Sequence, residues 1–172
     1  GSTFKMINAL IALQEGAVSP NTSFICQGKS SRPIRCTHDH KSPLQLEHAI
    51  QESCNPYFWN TFKRILNAPK YNDPKKGYEQ WYQSIKSFGF GEKFNTDIPY
   101  ELSGNVPSIA YYDKVYNGRW NALTVRSLSI GQGEILVTPI QLANLAVTIA
   151  NKGYYYPPHF LRSIENSDND HL

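Results

Sequence analysis

The sequence predicts a mainly α chain with a few short strands. Three observations carry that expectation. Apolar residues recur at three- and four-residue intervals through several segments, the period of helices that bury a face. Those segments are punctuated as helices are, with proline just inside a start or glycine just past an end. Strand candidates are confined to two short runs, residues 23–26 and 154–164.

The first helix is predicted from Ser2, a good N-cap, to Gly16, a natural C′ stop. Phe4, Met6, Ile7, Ala9, Leu10, Ile11, Ala12 and Leu13 make nearly its whole circumference apolar. A helix of that kind is normally buried on all sides, and it is too short to span a bilayer. A turn follows, then the strand candidate ending at Cys26. Residues 27–41 are polar and contain Gly and Pro, which reads as a loop. A second helix is expected over 43–52, capped by Ser42-Pro43, with Leu46, Ala49 and Ile50 on one face. Pro56 opens a stronger one through Tyr57, Phe58, Phe62, Ile65 and Leu66, which closes before Pro69. The next runs from about Pro74 to Phe88, with Tyr78, Trp81, Tyr82 and Ile85 at helical spacing. From Glu92 to Gly133 periodicity fades, and a long loop is expected around Tyr111–Trp120. Thr138-Pro139 then starts a largely apolar helix ending at Gly153, and residues 165–172 read as a frayed tail.

A chain of 172 residues fits one domain. Seventeen basic against fourteen acidic residues give a net charge of +3, dispersed along the chain, which argues against nucleic acid as a partner. Twenty-two aromatic residues argue for a folded chain. The chain opens inside a helix with no leader, so a piece of something longer is expected.

Ser2 and Lys5 are three apart and share one side of the first helix. A serine hydroxyl becomes a nucleophile when a base takes its proton, and a lysine can be that base if burial lowers its pKa. Unpaired N–H groups at a helix start suit a developing oxyanion. The other reading is a capping serine beside a lysine that snorkels to water. Ser53-Cys54-Asn55 forms a short turn between two helices, which would place a hydroxyl and an amide in a cleft; Ser and Asn are also ordinary helix-boundary residues.

In sequence order stand Gly1-Ser2-Thr3-Phe4-Lys5, Ser53-Cys54-Asn55-Pro56-Tyr57-Phe58, Phe88-Gly89-Phe90-Gly91, Ser129-Ile130-Gly131-Gln132-Gly133-Glu134 and Thr138-Pro139-Ile140-Gln141-Leu142-Ala143. This series resembles the transpeptidase domain of class B penicillin-binding proteins, of the elongation type called penicillin-binding protein 2, from Gly1 to about Arg162. The resemblance implies the α/β penicillin-binding transpeptidase fold, serine β-lactamase-like, of which residues 1–172 would be the helical part. It implies a D-alanyl-D-alanine transpeptidase that cross-links peptidoglycan and is acylated by β-lactams. Ser2 would attack, Lys5 would accept its proton, Ser53 would relay a proton to the leaving amine, and Asn55 would orient the substrate amide and Lys5. No cofactor is required for that catalysis. Implied partners are peptidoglycan stem peptides, β-lactams and cell-wall elongation proteins, with the catalytic domain outside a bacterial cytoplasmic membrane.

The family's third motif, Lys-Ser/Thr-Gly, occurs nowhere in the 172 residues, and the membrane anchor and pedestal are also missing. Poor acylation by these residues alone is therefore expected, since one oxyanion donor is worth about 10²–10³ in rate. The uncovered apolar first helix is expected to pack on the 57–66 and 140–150 helices or to drive self-association.

Cys26, Cys36, His40 and Cys54 are a candidate zinc set, with His38 as the alternative imidazole. Three thiolates and one imidazole suit tetrahedral zinc, and some elongation-type relatives look similar in carrying a metal near the second motif. A Cys26–Cys36 disulfide with surface histidines, or three unrelated thiols, are the alternatives. His48 and His159 read as ordinary residues. Two rival functions stand beside the transpeptidase. One is a class D β-lactamase or β-lactam sensor domain; the other is a non-catalytic, zinc-stabilised interaction module that binds through the aromatic Tyr111–Trp120 loop.

Overall fold

The structure, a computed structural model, describes residues 1–162. The expected tail lies outside them. A 3₁₀ turn, Ser2–Phe4, leads into α1 (Lys5–Gln14), and α2 (Leu46–Gln51), α3 (Asn55–Leu66), α4 (Pro74–Ser87), α5 (Ile109–Tyr116) and α6 (Pro139–Ala150) follow.

The prolines act where the sequence placed them. Pro56, Pro74 and Pro139 each stand in the first turn of a helix. There the N–H that proline lacks has no intrahelical partner to lose. Asp73 caps α4 by accepting from Lys75 N–H. Thr138 and Gln141 form a reciprocal capping box on α6.

The core is built where α1 packs on α3 and α4. Phe4, Ile7 and Ile11 from the first segment meet Phe62, Ile65 and Leu66 of α3 and Trp81 and Ile85 of α4, all essentially excluded from water. The Phe62 and Trp81 rings meet edge to face at 5.2 Å. Crossing of α3 and α4 is close enough that a Cβ on Gly77 would lie 2.2 Å from the Leu66 carbonyl oxygen. Gly77 is therefore a contact point at which any side chain would push the two helices apart.

Four expectations are corrected. No strand is present among the described residues. The candidate run at 23–26 gives one antiparallel bridge, Phe24 to Leu44, and a second joins Asn105 to Leu136. Each pairs one residue with one, so no ladder grows. The Phe24 bridge also holds Leu44 extended, which is why α2 starts at Leu46 rather than 43. Within the stretch expected to be a loop, α5 forms, capped by Ser108 and ended by Asn117 at φ 51°. Its single buried residue, Tyr112, left no apolar period to detect. Tyr112 and Trp120 face the core, so only part of the aromatic loop is available to a partner. Finally, α1 is not buried all round: Leu10 and Leu13 are exposed. Most of its cover comes from α3, with α2, α4 and the Arg126–Ile130 3₁₀ turn beside it, and α6 adds Leu145 to the same core. Polar contacts also tie α6 in, Gln141 Nε2 donating to the carbonyls of Gly89, Glu92 and Ser103.

Candidate active site and thiol cluster

The first segment starts as a 3₁₀ turn, so Gly1 rather than Ser2 is its N-cap, and no side chain caps it. Ser2 is exposed, and its hydroxyl has no protein partner among the described residues. Two contacts hold this start in place. The Gly1 backbone nitrogen donates to the Gly131 carbonyl at 2.8 Å. A Cβ on Gly131, whose φ is +65°, would lie 2.4 Å from Phe4 Cβ and 2.6 Å from the Gly1 carbonyl oxygen, so only glycine fits there.

Asn8, one turn further on, is fully buried. Its amide nitrogen donates to the carbonyls of Ser129 at 2.9 Å and Leu128 at 3.3 Å, and its oxygen accepts from Trp81 Nε1 at 2.8 Å. One side chain thus fastens α1 to both α4 and the 126–130 turn. Asn8 went unnamed in the sequence. Its signal was a polar residue in a run, Phe4 to Leu13, that is otherwise apolar apart from Lys5.

Lys5 is 3% exposed, and its ammonium reaches into the bend between α2 and α3. Nζ donates to Ser53 O at 2.6 Å, Ser53 Oγ at 2.8 Å and Asn55 Oδ1 at 2.6 Å. Burial lowers its pKa to about 8, opposed by the neighbouring Cys36 and Cys54 thiols. The bend itself follows from local sequence. Ser53 closes α2 in the left-handed region at φ 47°, and Cys54 then turns extended as the N-cap of α3. Asn55 is fixed from its other side by donating Nδ2 to the Arg35 carbonyl at 3.0 Å.

Ser2, Ser53 and Asn55 all line one hollow of about 330 Å³, with Ile34, Arg35, Thr37, Ile130 and Gln132 completing its wall. The two motifs that lie some fifty residues apart in sequence are therefore brought together, with Lys5 beneath them. The wall residues went unnamed in the sequence except Ile130 and Gln132, which belong to the 129–134 motif. Chemically, the hollow offers a free hydroxyl, a buried amine with a depressed pKa and an amide, the components for attack on a carbonyl.

Behind the bend, the ligand atoms of Cys26, Cys36, His40 and Cys54 all lie within 4.8 Å of one another. All three cysteines are unpaired and buried, so the Cys26–Cys36 disulfide is not formed. His40 Nε2 is 3.4 Å from Cys36 Sγ, while its Nδ1 is 2.8 Å from the Lys41 carbonyl, the arrangement that fixes a metal-binding imidazole. His38 is turned away to Glu52 at 3.1 Å. Burial alone would raise the Cys36 thiol, but the N–H groups of Asn55 and His38 and the His40 ring hold it at about 7. Burial pushes Cys54 up. Sulfurs around a tetrahedral zinc sit about 3.8 Å apart, from Zn–S bonds of about 2.3 Å, so this donor set fits that ion.

A family model described as the penicillin binding protein transpeptidase domain matches residues 1–172. The peptidoglycan D,D-transpeptidase MrdA of Acinetobacter baumannii is 30% identical over 169 residues, covering 95% of this chain and 24% of that protein. Pseudomonas aeruginosa PBP2, solved in complex with WCK 5153, superimposes with a TM-score of 0.76 at 30% identity over 96% of this chain and 37% of that one. Helicobacter pylori PBP2, solved in complex with MreC, gives a TM-score of 0.72 at 28% identity over 98% and 30% of the two chains. The chain spans about a quarter of the length of the curated relatives it matches.

Proposed function

Since the chain belongs to the penicillin-binding protein transpeptidase family, on its PBP2 branch, we propose that it carries the acylation site of a peptidoglycan D,D-transpeptidase. The observation that carries the reading is the convergence of Lys5 on Ser53 and Asn55 at the floor of the hollow that Ser2 lines.

Ser2 Oγ attacks the penultimate carbonyl of a D-alanyl-D-alanine peptide. As an ammonium, Lys5 spends all three protons on Ser53 and Asn55, so only its neutral form has a lone pair for the Ser2 proton. Burial makes that form accessible near neutral pH. Ser53 Oγ, already in contact with Lys5, carries the proton on to the leaving D-alanine nitrogen. Asn55 holds Lys5 through Oδ1 and presents the remainder of its amide to the substrate chain. The Ser2 N–H, at the helix start, supplies one oxyanion donor. Expulsion of D-alanine leaves an acyl-serine, and the strained amide of a β-lactam reacts with the same hydroxyl. With no Lys-Ser/Thr-Gly among the 172 residues, these residues on their own acylate slowly, and the intact protein is the working enzyme.

Cys26, Cys36, His40 and Cys54 would hold a structural zinc ion, which would pin the 26–41 loop behind the site without entering the acyl-transfer chemistry. Cell-wall elongation proteins are the partners that fit this branch, by analogy with the MreC complex of the Helicobacter pylori relative. The working place is the outer side of the bacterial cytoplasmic membrane. Covalent labelling of the full-length protein with a fluorescent penicillin tests the reading. Label should map to Ser2 and vanish in Ser2→Ala; label on another residue, or label that survives Ser2→Ala, refutes it.

A further inference from the structure

The bend that holds Lys5 and the thiol cluster are one piece of chain. Cys54 is the residue between Ser53 and Asn55, and Cys36 follows Arg35. Asn55 is tied to both: it follows Cys54 directly, and its Nδ2 donates at 3.0 Å to the carbonyl of Arg35, the residue before Cys36. The same Asn55 presents Oδ1 to Lys5 at 2.6 Å. One peptide link and one hydrogen bond therefore separate Cys54 from the amine, and one peptide link and two hydrogen bonds separate Cys36 from it.

The sulfurs are also poised for another fate. Three thiols within 4.8 Å of one another exceed the 2.03–2.05 Å of a disulfide by a gap that only a small loop shift must close. Cys54 is pinned, its N–H on the Ala49 carbonyl at 2.9 Å and its carbonyl accepting from Phe58 at 3.3 Å. Cys26 and Cys36 also donate their N–H groups, to Ser42 Oγ at 2.8 Å and the Gly28 carbonyl at 3.1 Å. Their partners lie in the same irregular segment rather than in an α-helix, so they are the pair that a loop shift can bring together.

We propose that the cluster is a redox latch on the catalytic bend: reduced and metal-bound, it holds Asn55 and Lys5 in place, and Cys26–Cys36 disulfide formation releases the ion and turns acylation down reversibly. The inference rests on the transpeptidase reading and on the zinc reading of the cluster. The oxidant is hydrogen peroxide. The two thiolates lose two electrons and form one S–S bond, the O–O bond breaks, and two protons from solvent complete two waters. Cys36 then shifts toward Cys26, the Arg35 carbonyl moves with it, and Asn55 loses that outer anchor while keeping Lys5. Cys36 acts through Asn55 and is a positioning residue.

The test uses the zinc-loaded full-length protein treated with hydrogen peroxide. A metallochromic indicator follows zinc, alkylation counts free thiols, peptide mapping locates the disulfide, and fluorescent penicillin measures acylation. The expected result is one zinc released and two thiols lost per cluster, a Cys26–Cys36 bond, and acylation reduced tenfold or more. Reductant with added zinc should restore all of them. Thiols that resist peroxide, a bond between another pair, or undiminished acylation after zinc loss overturns the latch. In Cys26→Asp/Cys36→Asp one thiol remains and no disulfide can form in the cluster, so acylation, at whatever level, should not respond to peroxide; a response there also overturns it. Untreated protein that never labels overturns the transpeptidase reading itself, and the latch with it.

Discussion

The pH dependence of acylation follows from the surroundings of Lys5. An unperturbed lysine at 10.5 is neutral in about 0.03% of molecules at pH 7, too few to serve as a base. At the value of about 8 that burial imposes, the neutral fraction is about 9% at pH 7 and about 90% at pH 9. The second-order rate of acylation by a fluorescent penicillin should therefore rise about tenfold from pH 7 to 9 and level off above it. An unshifted lysine predicts about a hundredfold over the same interval, still climbing at pH 10. Stability has a definite sign too. Between about 8 and 10.5 the unfolded chain binds the Lys5 proton more tightly than the folded one, so stability gains from rising pH across that window. Below it the cost of burying the ammonium is fully present. A rate profile that is flat from pH 7 to 9, or that keeps rising through pH 10, would remove Lys5 as the base.

Two further outcomes concern what holds the site together. Asn8→Ala leaves the Trp81 N–H and two carbonyls without their partner inside the core, at about 1–3 kcal/mol for a buried group left unpaired, so urea unfolding followed by Trp fluorescence should show about 2–4 kcal/mol lost. A loss under about 1 kcal/mol would mean that α1 is fastened by packing alone. Stripping metal with a chelator should lower the melting temperature by about 5 °C or more, restored by zinc and not by magnesium, because thiolates and imidazole select the softer ion.

The helices were legible because their signals are local. Pro56, Pro74 and Pro139 declare a first turn, and Phe62, Ile65, Trp81 and Ile85 declare a face, without reference to anything distant. α5 was not, since a helix that buries only Tyr112 carries no period, and its caps Ser108 and Asn117 read equally well as loop. The site was half legible. Ser2, Lys5, Ser53 and Asn55 are short-range patterns common enough by chance that only their recurrence in a family order singled them out. What brings them together is long-range: Asn8 bonding across to Trp81 and Ser129, and Gly131 lying against Phe4. Neither carries a signal in its neighbours along the chain. His38 stood as the alternative to His40, and geometry favours His40, since the competing Glu52 draws His38 outward.

Ser53 explains why the lysine cage sits at a bend rather than on a helix face. One residue supplies two of the three acceptors, its carbonyl at 2.6 Å and its hydroxyl at 2.8 Å. Inside a helix that carbonyl would be taken by the N–H four residues on. The left-handed φ of 47° ends the ladder and frees it. For a residue with a Cβ that conformation costs about 1–2 kcal/mol, against about 1.5–3 kcal/mol for a hydrogen bond to a charged group. The two effects separate by substitution. Ser53→Ala and Ser53→Gly both lose the hydroxyl and should depress acylation alike, but glycine meets no steric penalty at this φ. Ser53→Gly should therefore unfold in urea at higher free energy than Ser53→Ala, by about 1 kcal/mol. Equal stability, or alanine the more stable, would show that the bend is not strained and that its geometry is set by Cys54 and Pro56 instead.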